Sequence, residues 1–571
     1  MNSSENSKFE IDYDTCHMID IDYLKKQFEP TDDDKEFEYN PMSISKIQNY
    51  NPIYTIFFKM DENNYNKICF SNKYKFVDFS TIQESLTKRN VPSKIFIKYS
   101  PLLDPIRYMI GKYELNNANL KELPQFNSDT TNCNNKLLSI NNSSYIDCFF
   151  SFLSSKLLHN YNFNNSIDFY GSFLSVQDKY KMDISDDFEY LNESNYFLNN
   201  LNKKFKITKS DLLNVVMNNN SRRNKNKINI SESNLNICNI ENDIVDDLQI
   251  EEIVESNEIE EVYSKNTNNN SSSDSSESDN DSDSDYSNES GESDDDSEDS
   301  DETEDSDEDS DESNESSSVP EETVFSYIDN FPVQMICIEK CKDTLDSLFE
   351  NEKMDDENGS SALFQVIMSL IAYQKAFSFT HNDLHTNNVM YSETNEEFLY
   401  YKYNRKIYKV PTYGKIFKLI DFGRSIYKFK GKIFCSDSFA PGGDAATQYN
   451  CEPYLNENKP VIEPNFSFDL CRLGCSIYDF IIDDEEEAEM NELQKTIYRW
   501  CLDDSNLSIL YKKNGNERYP NFKLYKMIAR TVHNHTPQKQ LEFPFFNQYE
   551  IDSQIDTNIE IINIDKIHSY V

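Results

Sequence analysis

Between positions 361 and 423 the chain lays down one fixed series of segments that few folds can accept. Residues 361–373 are an apolar, helix-favouring run in which Leu363, Ile367, Leu370 and Ile371 recur at helical spacing. The polar stretch His381-Asn382-Asp383-Leu384-His385-Thr386-Asn387-Asn388 follows, reading H-x-D-x-x-x-x-N. Residues 389–391 and 416–420 are short β-rich runs, and the second leads directly into Asp421-Phe422-Gly423. The order is helix, loop, strand, strand, Asp-Phe-Gly. Taken singly, the two aspartates fit turn or cap roles. Taken in series, they set a carboxylate, an amide and a second carboxylate at the ends of core elements.

This series resembles the catalytic core of eukaryotic-type protein kinases, and in particular the divergent kinase-like proteins of large DNA viruses. The resemblance implies an α+β, bilobal protein-kinase-like fold with a β-rich small lobe and a mainly helical large lobe. It implies ATP and Mg²⁺ as cofactors and serine or threonine hydroxyls of protein substrates as acceptors. Asp383 would orient the attacking hydroxyl, and Asn388 and Asp421 would hold Mg²⁺ on the nucleotide phosphates. Three further segments extend the likeness. Residues 469–480, with leading Asp469 and mid-helix Gly474, are similar to the buried helix that anchors the large lobe. Residues 333–339 resemble the fifth strand running into the hinge, with Glu339 on the nucleotide's side and 340–345 crossing between lobes. Residues 95–98 resemble the strand whose lysine meets the α and β phosphates, which makes Lys98 a cofactor-binding candidate. A lysine on an edge strand is the competing reading of Lys98.

The departures carry information too. No glycine precedes Gly111, so no glycine-rich loop can bring backbone N–H groups onto phosphates ahead of Lys98. The segment 145–158 resembles the small-lobe helix leading into the fourth strand, yet it contains no Glu to pair with Lys98. Glu114 and Glu122 are the glutamates between Lys98 and that helix, and neither is well placed. Asn382 stands where many kinases have an arginine that receives an activation-loop phosphate. A phosphate on Ser425, Ser436, Ser438 or Thr447 would therefore lack that partner. His385 replaces a lysine and would carry a pH-dependent charge. In place of A-P-E stand Cys451-Glu452-Pro453 or Glu463-Pro464. The alternatives to a protein kinase are a pseudokinase serving as a scaffold or binding module, and a kinase-fold phosphotransferase for a small molecule.

Composition sets the organisation. The formal net charge is −47. Residues 271–316 contain 23 acidic residues and no Lys or Arg, a tract too polar to offset its ordering entropy and so expected to be disordered. Without it, 79 acidic residues still face 55 basic ones, which argues against nucleic-acid partners. A basic run at 222–227 is a solvated loop or a nuclear-import signal. Twelve cysteines without a C-x-x-C pair argue against zinc and for a reducing, intracellular setting, and the viral resemblance implies the cytoplasm of an infected cell or a virion. No signal pattern and no membrane-length apolar run is present. The expected boundaries are a polar extension over 1–50, the small lobe over 51–175 beginning with a β-rich run at 53–58, and an insertion over 176–331. The fifth strand and hinge follow over 332–343, the large lobe over 344–546 and an acidic tail over 547–571. The stretch 392–415 is expected to be an extended hairpin.

Overall fold

Two long strands organise the sheet-rich part of the fold, because each alternates apolar residues toward two different cores. The computed structural model describes residues 9–16, 19–113, 119–208, 323–351, 353–482, 490–552 and 559–571. The acidic tract, the basic run at 222–227 and Glu114 lie outside those residues. The described residues form an α+β structure, and all of them belong to one compact unit. Its main sheet is antiparallel and contains β1 (Ile44–Gln48), β2 (Ile95–Pro101), β3 (Phe169–Asp183) and β4 (Phe325–Glu339), in the order β1-β3-β4-β2. A short strand, Phe205–Ile207, pairs with the beginning of β4. Along β4, Met335 and Cys337 enter a cluster with Leu24, Met42, Phe76 and Ile82 on one face of the sheet. Ile336 and Ile338 enter the main core with Phe149 and Phe152 of helix α1 (Ser143–Tyr161). A strand with both faces covered reads as a continuous apolar run, as 333–338 does.

The second half is built around helix α2 (Asp356–Phe377), which is buried along nearly its whole length. It leads into the 381–388 loop, and β5 (Val389–Glu393) then pairs antiparallel with β8 (Lys415–Leu419). Between them, β6 (Phe398–Tyr403) and β7 (Lys406–Pro411) make the expected hairpin. Helix α3 (Phe468–Ile481) lies in the core, and helix α4 (Lys523–Thr531) packs on it through Leu524, Tyr525 and Ile528.

Four boundaries differ from the sequence expectation. Within the expected polar extension, residues 9–16 and 19–50 dock on the fold. Phe9, Leu24 and Met42 are buried and β1 extends the main sheet, so a few apolar residues in a polar segment suffice to dock it. Residues 53–58 are not a strand: Pro52–Ile56 is a 3₁₀ helix, because Asn51 caps it by accepting from the Ile53 N–H at 3.0 Å and Pro52 presets its first turn. The insertion is shorter than 176–331 at both flanks, since β3 runs to Asp183 and β4 begins at Phe325. The tail is part of the fold. Glu550–Ile551 pairs with β7, Ile562–Asn563 pairs with β6, and Tyr570 stacks on Phe9 at 4.2 Å.

Ile562, Ile564 and Ile567 are all buried in the main core. Ile564→Ala is therefore expected to cost about 2–5 kcal/mol of stability, read as a lower denaturant midpoint at unchanged m. A loss within about 0.5 kcal/mol, the range of neutral surface changes, would show the tail to be peripheral.

Candidate functional site

The 381–388 loop takes its shape from one buried carboxylate. Asp469, in the first turn of α3, accepts from the His381 N–H at 2.9 Å and from the Asn382 N–H at 2.8 Å. These bonds place two N–H groups on one side chain and hold Asn382 in the left-handed region at φ +65°, a conformation asparagine tolerates better than most residues. The Asn382 amide donates to the carbonyls of Thr380 and Arg424 and accepts from the Tyr449 hydroxyl at 2.8 Å. The residue that stands in place of an arginine is thus an internal brace, fully buried. His381 Nε2 meets the Ile420 carbonyl at 2.9 Å, and the Ile420 N–H donates to the Asn388 carbonyl at 3.0 Å. The loop and the end of β8 are thereby fastened together, which brings the Asp383 and Asp421 backbones to neighbouring ends of core elements.

Lys98 and Asp421 meet directly. The Lys98 ammonium lies 2.7 Å from Asp421 Oδ1 and 2.7 Å from Asp147 Oδ2. The lysine is therefore not an outward edge residue. Asp147 is the partner that a search for glutamate overlooked. It is the one acidic residue of α1, set one helical turn into an apolar stretch. A lone carboxylate there must find a cation or donor when buried, and that was the available signal. Its second oxygen accepts from the Phe422 N–H at 2.9 Å, so α1 grips the Asp-Phe-Gly turn as well as the lysine. Asp421 sits at φ +61°, and Phe422 is buried against Phe150 with ring centroids 4.7 Å apart. Burial opposes charge on Lys98, but Asp147 and Asp421 outweigh it and raise its pKa. Burial likewise pushes Asp421 up, yet Lys98 prevails and holds it below the usual carboxylate range.

The remaining predicted residues divide. Asp383 is buried, and its Oδ1 accepts from the Tyr525 hydroxyl at 2.8 Å. Asn388 donates through Nδ2 to the Asp383 carbonyl at 2.9 Å and to His385 Nε2 at 3.0 Å, which turns its Oδ1 the other way. His385 accepts that bond, and burial pushes it down to about 4, so it is neutral near pH 7. The pH-dependent charge expected of it falls below the physiological range. Glu339 ends β4 at the crossing, but its carboxylate pairs with Lys418 and its N–H donates to the Asp168 carbonyl at 3.0 Å. Both groups are engaged within the protein. Glu122 pairs with Lys46, away from Lys98. Glu452 and Glu463 are exposed.

The segment after Asp421 is held by a carboxylate. Asp437 pairs with Lys136 at 2.6 Å, accepts from the Ser143 N–H at 3.1 Å and donates its own N–H to the Asn141 carbonyl at 2.8 Å. Ser143 opens α1, so a negative charge faces the positive end of that helix. Ser425 and Ser436, two of the positions considered for phosphate, are fully buried.

In oxygen chemistry the residues suit Mg²⁺, which takes one or two protein ligands and completes its shell with water and substrate phosphates. Asp421 offers a carboxylate and Asn388 an amide oxygen. Among the described residues, no three His, Cys, Asp or Glu side chains are placed to hold an ion by themselves. Among the same residues, no helix is long and apolar enough to cross a membrane.

Asp469→Ala would strip two buried N–H groups of their acceptor. Each unsatisfied donor costs about 1–3 kcal/mol, so a loss of about 2–6 kcal/mol is expected in equilibrium unfolding. A loss below about 1 kcal/mol, less than the cost of one orphaned donor, would show that the loop holds its shape without α3.

No protein-family model matches the chain. A curated relative, "Uncharacterized protein 098R" of Invertebrate iridescent virus 6, is 28% identical over 179 residues, which cover 30% of this chain and 27% of that protein.

Proposed function

We propose that this chain is a bilobal, protein-kinase-like phosphotransferase that moves the γ-phosphoryl group of ATP to serine or threonine hydroxyls of protein substrates. The observation that carries the reading is Lys98 bridging Asp147 and Asp421. Three residues from a strand, a helix and a turn converge there in the arrangement a phosphate-binding lysine and a metal-binding aspartate require. Lys98 would turn from Asp421 to the phosphates while Asp147 keeps its orientation. Asp421 and Asn388 would hold Mg²⁺, which neutralises charge on the phosphates when bound. Asp383 would accept the hydrogen bond of the incoming hydroxyl and take its proton as the bond to phosphorus forms.

One observation favours a second reading, a nucleotide-binding or scaffolding module with little catalysis. Among the described residues β2 pairs with β4 and with no other strand. With no glycine before Gly111, backbone amides have no close approach to phosphate ahead of Lys98. ATP affinity is accordingly expected to be weak and to depend strongly on Lys98, a single compact cation.

Purified protein assayed with Mg·ATP and Ser/Thr peptides separates the two readings. The parent is expected to transfer phosphate. Asp421→Ala is expected to lose Mg²⁺-dependent nucleotide binding. Asp383→Ala is expected to keep nucleotide affinity and to lose turnover by a factor of ~100 or more. A parent that binds Mg·ATP without turnover supports the binding module, and an Asp421→Ala variant that binds like the parent contradicts the metal assignment.

A further inference from the structure

Asp383 is held by groups that no sequence motif marks. Its Oδ1 accepts from the Tyr525 hydroxyl at 2.8 Å, across 142 positions of chain. The same hydroxyl oxygen accepts from Arg472 Nε at 2.9 Å. Arg472 and Tyr525 are both buried, so this is an internal line of donors: guanidinium to phenol, phenol to carboxylate. Arg472 lies one turn after Asp469 on α3 and therefore on the same helix face. One helix face thus sets the loop twice, through Asp469 on its N–H groups and through Arg472 and Tyr525 on its carboxylate.

The ring of Tyr525 is fixed. It stacks on Phe522 at 5.5 Å between centroids and packs near Phe468 at 6.2 Å, within the buried face of α4. The phenol sits in a core position and has no open side toward which to swing. Burial pushes its pKa up, so it keeps its proton and stays a donor. For Arg472, burial is outweighed by Tyr525 and Asp383, and the guanidinium is charged. A hydrogen bond to a charged acceptor is among the stronger kinds and is directional.

Resting on the phosphotransfer reading, we infer that Tyr525 is a positioning residue that, backed by Arg472, holds the Asp383 carboxylate in the orientation that receives the acceptor hydroxyl. Tyr525 touches neither the nucleotide nor the reacting atoms in this role. It acts through Asp383 alone. The opposing account is that its hydroxyl occupies the place of the substrate hydroxyl and blocks it, which predicts the reverse effect on rate.

Tyr525→Phe removes the hydroxyl and keeps the packed ring. With Mg·ATP and the peptide acceptor, kcat is expected to fall by about 10-fold or more, the equivalent of one hydrogen bond to a charged group, while KM for ATP stays unchanged. In an Asp383→Asn background the same substitution should cause no further fall, because the group it orients is already disabled. An unchanged or raised kcat in Tyr525→Phe overturns the positioning role. So does an equal fall in both backgrounds, which would mark a general structural effect, and a matching fall in ATP affinity would do the same. These failures leave the parent active and so spare the phosphotransfer reading. A parent that binds Mg·ATP and never transfers phosphate overturns that reading and the role with it.

Discussion

The site depends on one ammonium shared between two carboxylates. Lys98, Asp147 and Asp421 come from segments far apart in the chain; Asp147 is buried, and Lys98 and Asp421 are partly covered. Taking such charges out of water costs several kcal/mol per ion, which only good geometry and added hydrogen bonds can offset. The geometry is supplied at both ends. Asp147 spends its other oxygen on the Phe422 N–H, and Asp421 is set by its left-handed backbone beside the fastened 381–388 loop. Removing one partner would strand the others, so α1, β2 and the Asp-Phe-Gly turn keep their relative places. A nucleotide phosphate is the kind of group that could relieve this arrangement, by replacing Asp421 as a partner of Lys98.

Around that trio the chain braces itself with amides and carboxylates. Asn382 is an internal brace between the Arg424 carbonyl and the Tyr449 hydroxyl. Asp437 ties the following segment to Lys136 and to the start of α1. Since α1 also carries Asp147, the hold of Asp437 on that helix bears on the position of Lys98.

The site was legible where function is written in local spacing. Asp383, Asn388, Asp421 and Asp469 stand in short segments of recognisable element order, and the structure draws those segments together. Asp147 was hidden by a preference for glutamate, although a single carboxylate in the apolar face of α1 signalled a buried partner. Tyr525 and Arg472 had no local signal, because their link to Asp383 exists only once α4 has packed on α3. The ends of the chain were misread for a different reason. Average composition there is polar, but docking depends on a few residues, Phe9, Leu24 and Met42 at one end and Ile562, Ile564 and Ile567 at the other. At 51–56 cap chemistry from Asn51 and Pro52 outweighed β-rich composition.

A structure determined with Mg²⁺ and a non-hydrolysable ATP analogue tests the central claim most directly. The account predicts the metal on the Asp421 carboxylate and the Asn388 amide oxygen, with Lys98 still on Asp147 and its ammonium turned from Asp421 to the phosphates. A nucleotide bound elsewhere, or Lys98 still bridging both carboxylates beside a bound nucleotide, would contradict it.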